Sequence, residues 1–276
     1  MVDSARANQV TDAVRALTTV IDAETDPALR AWLLARRAAF EHRIHPGQAQ
    51  STLLDAYRLA RGGLRPLTGV SYSALTPDTQ SQSEAVIAFH CERFMTPIDT
   101  VLFAQSLCND LVFMPKTSET FEAAVDALAC FIGIKGHRPE NQFGEGPDNF
   151  WALPTAHYLI IECKNGSRTQ DGICKSDVAQ LGHSMSWFRE HYPALPGTPV
   201  MIHPKSTMGA TATPVESMRV IDRDTMKRLH RAIDDFATAV SESTSVHDRA
   251  AVAAALDATG LHAAMFVDHF TVAPRK

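Results

Sequence analysis

Apolar residues recur at helical spacing along the first stretch of the chain, from about Ala5 to Leu64. Val10, Val14, Leu17 and Ile21 make one stripe, and Leu33, Phe40 and Ile44 make a second after the helix-start signal Asp26-Pro27. Arg36 and Arg37 interrupt the second stripe; with Arg43 they read either as a solvated helical face or as an edge that contacts phosphate. His45-Pro46-Gly47 breaks that helix, and Ser51 to Ala60 predicts a third. From Gly62-Gly63 the texture changes, and Thr68 to Ser83, rich in Ser, Thr, Gly and Pro, reads as a linker. A helical pair follows over 84–93 and 98–114, ended by Pro115, placed either as the last part of an N-terminal domain or as a cover on the core that comes next.

Beyond Lys116 the pattern alternates between the two periods. A helix is expected from Ser118 to Ile134, with Phe121, Val125, Leu128 and Ile132 facing inward. Glu122 lies beside that stripe, placed either to reach a site at a sheet edge or, with Asp126 four residues on, to form a solvated flank. Gly133 to Gly136 then turns the chain toward a first strand near Gln142-Phe143, and Tyr158 to Lys164 reads as a second. A helix over 173–192 has Cys174, Val178, Leu181, Met185 and Phe188 on one stripe and Ser176, Asp177, Gln180 and Ser184 on its neighbour, so Gln180 is either directed at the strand end or an exposed amide. Short strands at Val200-Met201-Ile202 and Arg219-Val220-Ile221, a helix from Asp224 to Val240, a short helix over 250–256 and a helix or strand over 261–272 complete the chain. The expected architecture is α/β, a mixed sheet flanked by helices and preceded by an all-helical N-terminal region. The segments are 1–67 helical, 68–83 linker, 84–116 helical connector and 117–276 core domain.

Charge and cysteine content narrow the chemistry. The formal charge is −5 with no basic arm in either half, so no global field attracts nucleic acid. Five cysteines without a CxxC pair argue against a zinc knuckle or a disulfide framework, and the histidines show no HxH or HExxH spacing. His203, at a strand end, is either a ligand or general base or a structural histidine. The N-terminus is polar and no apolar run approaches the roughly 18 residues of a membrane span, so a reduced cytoplasmic setting is expected.

The chemistry concentrates around Gly146-Pro147-Asp148 and Glu162-Cys163-Lys164. On a strand, residues two apart share a face, so Glu162 and Lys164 stand side by side and Cys163 turns into the opposite layer. The interval from Asp148 is long enough for a hairpin-like return that sets Asp148 against Glu162. Two carboxylates and an ammonium are what a hard divalent cation and an activated water require.

Pro147-Asp148 followed by Glu162-Cys163-Lys164 resembles the PD-(D/E)xK signature of restriction-endonuclease-like nucleases. The likeness spans roughly Thr117 to Pro204, with Phe121-Glu122 resembling the first core helix and Lys175 to Leu181 the helix behind the sheet. It is greatest to nuclease modules found with bacterial helicases and anti-phage defence systems. The resemblance implies a restriction-endonuclease-like sheet and Mg²⁺- or Mn²⁺-dependent hydrolysis of a phosphodiester in nucleic acid, DNA foremost. It also implies Asp148, Glu162 and the backbone carbonyl of Cys163 as metal ligands, Lys164 holding water or phosphate, and Glu122 and Gln180 as supports, Glu122 also as a further ligand. Implied partners are nucleic acid and a helicase or other defence-system protein; self-association through the N-terminal helices is a further expectation. The competing expectation is a catalytically inactive copy of the same fold that holds nucleic acid or a helicase. A Cys163 nucleophile is disfavoured, because Cys163 points away from Glu162 and Lys164.

Overall fold

The structure, a computed structural model, describes residues 2–60, 74–77, 80–167, 172–242 and 247–276. Gly62-Gly63, positions 68–73 and 78–79 of the expected linker, and 168–171 of the polar stretch after Lys164 lie outside the described residues. The chain divides into two compact units, Met1–Ser73 with Pro139–Gly146, and Ala74–Arg138 with Pro147–Lys276.

The first unit contains α1 (Val2–Ala23), α2 (Pro27–Glu41) and α3 (Pro46–Leu59). Asp26 caps α2 by accepting the Leu29 N–H at 2.8 Å, and Pro27 and Pro46 occupy first helical positions, where a missing N–H is harmless. Ile21, Leu33, Leu34 and Ala56 form their common core. Glu41 is buried, paired with Arg37 at 3.0 Å and accepting the Thr52 hydroxyl at 2.6 Å.

The second unit is built on five strands, β1 (Lys135–His137), β2 (Asn149–Leu153), β3 (His157–Cys163), β4 (Gly197–Ile202) and β5 (Arg219–Ile221), hydrogen-bonded in that order. β2 pairs antiparallel with both β1 and β3, whereas β3, β4 and β5 are parallel. The sheet is therefore mixed. Its central strands β2 and β3 are buried on both faces, and alternation assigns each side chain to a layer. Trp151, Leu159, Ile161, Cys163 and Ile202 join the larger core with α4 (Gln82–Arg93), α5 (Pro97–Asp110), α6 (Ser118–Phe131), α9 (Arg223–Ser241), α10 (Arg249–Thr259) and α11 (Phe266–Phe270). On the other face, Phe150 and Tyr158 stack at 5.2 Å and meet Phe188 of α8 (Lys175–His191), while Met201 and Val220 meet Val178 and Leu181. α9 is amphipathic, with Met226, Leu229, Ile233, Phe236 and Val240 buried, and each such side chain contributes about 2–3 kcal/mol of transfer free energy.

Three expectations are corrected. Gln142-Phe143 is not a strand; it ends a five-residue helix, α7 (Pro139–Phe143), which Pro139 starts and which packs on α3. The first strand is instead Lys135–His137, because Gly133 takes φ +72 and ends α6 at Phe131, short of the expected Ile134. The expected linker does not extend to Ser83. Ser81 caps α4 in a reciprocal box with Glu84, and the buried Gln82 amide donates to Ile132 O at 2.7 Å and Leu261 O at 3.0 Å while accepting the Ala263 N–H at 2.8 Å. In 261–272 the chain forms the short helix α11, and Val272 then bridges Val220.

Candidate active site

β2 and β3 pair with Asn149 opposite Ile161, which sets Asp148 opposite Glu162 at the end of the hairpin. The two-residue period puts both carboxylates, and Lys164, on the face covered by α8. Asp148 accepts the Cys163 N–H at 2.7 Å through Oδ2 and is 6 % exposed; Glu162 is 1 % exposed. Lys164 Nζ lies 3.1 Å from Glu162 Oε2, 3.3 Å from the Cys163 carbonyl and 3.7 Å from Asp148 Oδ2. Three oxygens thus converge on one positive charge. The Lys164 backbone N–H bonds Ile202 O at 2.7 Å, which fixes its position against β4. Beyond it, Asn165 is buried and its amide donates to Met114 O at 3.2 Å and Thr117 Oγ1 at 2.9 Å, so the turn after β3 is anchored to the start of α6.

Electrostatics in this corner are unbalanced. Burial, and then the charge of Asp148, push the Glu162 carboxyl up to about 7 against the opposing pull of Lys164 and Ser184. Burial disfavours the Lys164 ammonium, but Asp148 and Glu162 outweigh it and hold the amine above its ordinary range. The Cys163 thiol is pushed well above its usual value by burial and then by Asp148, Glu122 and Glu162, which leaves it inert as a nucleophile.

Glu122 approaches from α6, on the opposite face. Burial, followed by repulsion from Asp148, raises it to about 7. Its Oε2 accepts from Arg138 at 3.0 Å, and the same guanidinium reaches Glu119 at 2.9 Å. Glu122 is therefore near Asp148 but committed to Arg138. Asn149 ties the two elements together by donating to the Glu122 backbone carbonyl at 3.1 Å.

Gln180 is exposed on α8. Ser184, one turn further on, reaches the cluster, its hydroxyl donating to Glu162 Oε1 at 2.6 Å. Both belong to one helical stripe, so periodicity alone did not separate them. Arg138 carried no sequence signal at all, because its partners lie on a helix distant in sequence.

No family model, characterised protein or solved structure matches this chain.

Among the described residues no three His, Cys, Asp or Glu side chains are grouped to hold a metal ion. The convergent set is two carboxylates and a backbone carbonyl, an oxygen-only donor set of the kind Mg²⁺ takes while retaining several waters. The Lys164 ammonium marks the point where those oxygens meet a cation, and in that sense the residues fit a hard divalent ion.

Proposed function

We propose that this chain is a metal-dependent nuclease that hydrolyses phosphodiester bonds in nucleic acid, DNA foremost, on a restriction-endonuclease-like core. The observation that carries the reading is the convergence of Asp148 Oδ2, Glu162 Oε2 and the Cys163 carbonyl on Lys164 Nζ within 3.7 Å. These are the oxygens that the PD-(D/E)xK resemblance assigns to the metal.

Asp148, Glu162 and the Cys163 carbonyl would hold Mg²⁺ or Mn²⁺. When bound, the metal lowers the pKa of a water and neutralises charge that develops on the phosphate oxygens. Lys164 supplies a compact, fully ionised charge for the attacking water or a non-bridging oxygen. Ser184 fixes the rotamer of Glu162 through its 2.6 Å hydrogen bond. The commitment of Glu122 to Arg138 favours one metal over two. A bacterial defence or helicase-associated setting belongs to the same proposal.

A second reading, a binding module without catalysis, draws on the ion pairs that Lys164 already makes with both carboxylates, which engage those oxygens without a metal. The two are separated by incubating labelled single- and double-stranded DNA and RNA with Mg²⁺ or Mn²⁺. The nuclease reading expects metal-dependent cleavage by the wild type and none by Asp148→Ala. Binding without cleavage on every substrate supports the module.

A further inference from the structure

His203 follows β4 directly, and the pairing of Cys163 with Ile202 sets it beside Lys164 on the neighbouring strand. Its backbone N–H still bonds across to Ile221 O at 3.0 Å, so the strand geometry continues through this residue. Alternation then turns its ring to the face of Met201, the partner of Glu162. Register and period therefore place His203 on the same face of the sheet, and at the same end, as Glu162 and Lys164.

The ring is 1 % exposed and held from one side only. Nδ1 lies 3.0 Å from the Lys205 N–H and 2.8 Å from the Lys205 carbonyl, so the loop after β4 clamps that edge. Nε2 is buried and has no hydrogen-bond partner among the described residues. A buried ring nitrogen with no partner is unfavourable. The charged groups that face the ring are Asp177 at the start of α8, Lys205 and Lys164. With the Lys205 N–H donating to Nδ1, the proton sits on Nε2, and a doubly protonated ring also donates from Nε2; in the other neutral tautomer Nδ1–H donates to the Lys205 carbonyl and Nε2 is an acceptor. In the two forms that protonate Nε2, the free edge offers an N–H on the face of the sheet that carries Lys164. The ligand that suits an N–H and an ammonium side by side is an oxyanion.

We propose that His203 is a phosphate-contacting residue of this site, its Nε2–H donating to a non-bridging oxygen of the phosphodiester that Lys164 also faces. The identity of the ligand as a phosphodiester rests on the nuclease reading. The contact itself does not require cleavage, so it is tested by binding as well as by rate.

Wild type, His203→Leu and His203→Gln are compared for single-turnover cleavage of a labelled DNA duplex in Mg²⁺, for affinity to that duplex in Ca²⁺, and for Mn²⁺ affinity by calorimetry. The leucine variant is expected to lose about 10- to 100-fold in rate and to bind the duplex less tightly, with Mn²⁺ affinity unchanged. The glutamine variant, which keeps an N–H donor, is expected to recover a large part of both. Rates and duplex affinities equal to wild type in both variants overturn the proposal and make His203 a structural residue. Should the wild type bind the duplex without cleaving it, the nuclease reading fails alone, and the affinity series still decides His203. A wild type that neither binds nor cleaves overturns both. If the leucine variant does not fold, the His203 Nε2–H resonance of the wild type decides: a shift and slowed exchange on adding duplex with Ca²⁺ support the contact, and an unmoved signal overturns it.

Discussion

Lys164 Nζ sits 3.1 Å from Glu162 Oε2, two residues back on the same strand, and 3.7 Å from Asp148 Oδ2 on the neighbouring one. One ammonium is shared between two buried carboxylates. It does not compensate both, and Glu162 is accordingly pushed up to about 7, first by burial and then by Asp148. A site left under-neutralised gains from a divalent cation and loses stability without one.

The metal-free protein should therefore be stabilised by Glu162→Gln. The amide removes a desolvated charge and its repulsion with Asp148 while keeping an oxygen for the Ser184 hydroxyl. The predicted result is a melting temperature at or above that of wild type in EDTA, and loss of the Mn²⁺-induced rise expected of wild type. A metal-free melting temperature well below wild type would contradict the charge balance described for this corner.

Ser184 and Gln180 share a helical stripe but differ in what they reach. Ser184→Ala removes one hydrogen bond to Glu162, and cleavage should fall about 10-fold, equivalent to about 1.4 kcal/mol. Gln180→Ala, on the exposed face, should leave the rate within about twofold of wild type. Single-turnover rates of the two variants, side by side, check the assignment; the opposite ranking would return Gln180 to the site.

How far the sequence alone leads is clear in this pair. The two-residue period of β3 is enough to place Glu162 with Lys164 and Cys163 behind them, because a strand has only two faces. A helix stripe does not say which of its turns meets the sheet end. That depends on where α8 crosses β3, set by packing of Phe188 and Leu181 against opposite ends of one face. Gln142-Phe143 differs from this for another reason: a two-residue polar-aromatic fragment is compatible with either period, and Pro139 decides for a helix. Arg138 was illegible because a buried guanidinium is explained only by its partners, Glu119 and Glu122, which fold back onto it from α6.

His90, buried between Phe94 and Phe131, should govern part of the acid stability of the second unit. Burial lowers its pKa from an ordinary 6.5 to about 4. Between those values the unfolded chain binds the proton and the folded one does not. The contribution is thus complete above pH 6.5 and is lost as pH falls toward 4, amounting to roughly 3 kcal/mol. Urea unfolding at stepped pH should show this loss in wild type and a smaller one in His90→Phe. Identical pH profiles would assign the acid sensitivity elsewhere.

The most direct test separates metal binding from chemistry at Lys164. Lys164→Ala removes the ammonium from the point where three oxygens converge but takes away no metal ligand. Calorimetry should find Mn²⁺ bound at least as tightly as by wild type, while single-turnover cleavage of the labelled substrates collapses. Asp148→Ala should lose both. Wild type that cleaves none of the four substrates with Mg²⁺ or Mn²⁺, or a Lys164→Ala variant that cleaves at the wild-type rate, would contradict the account.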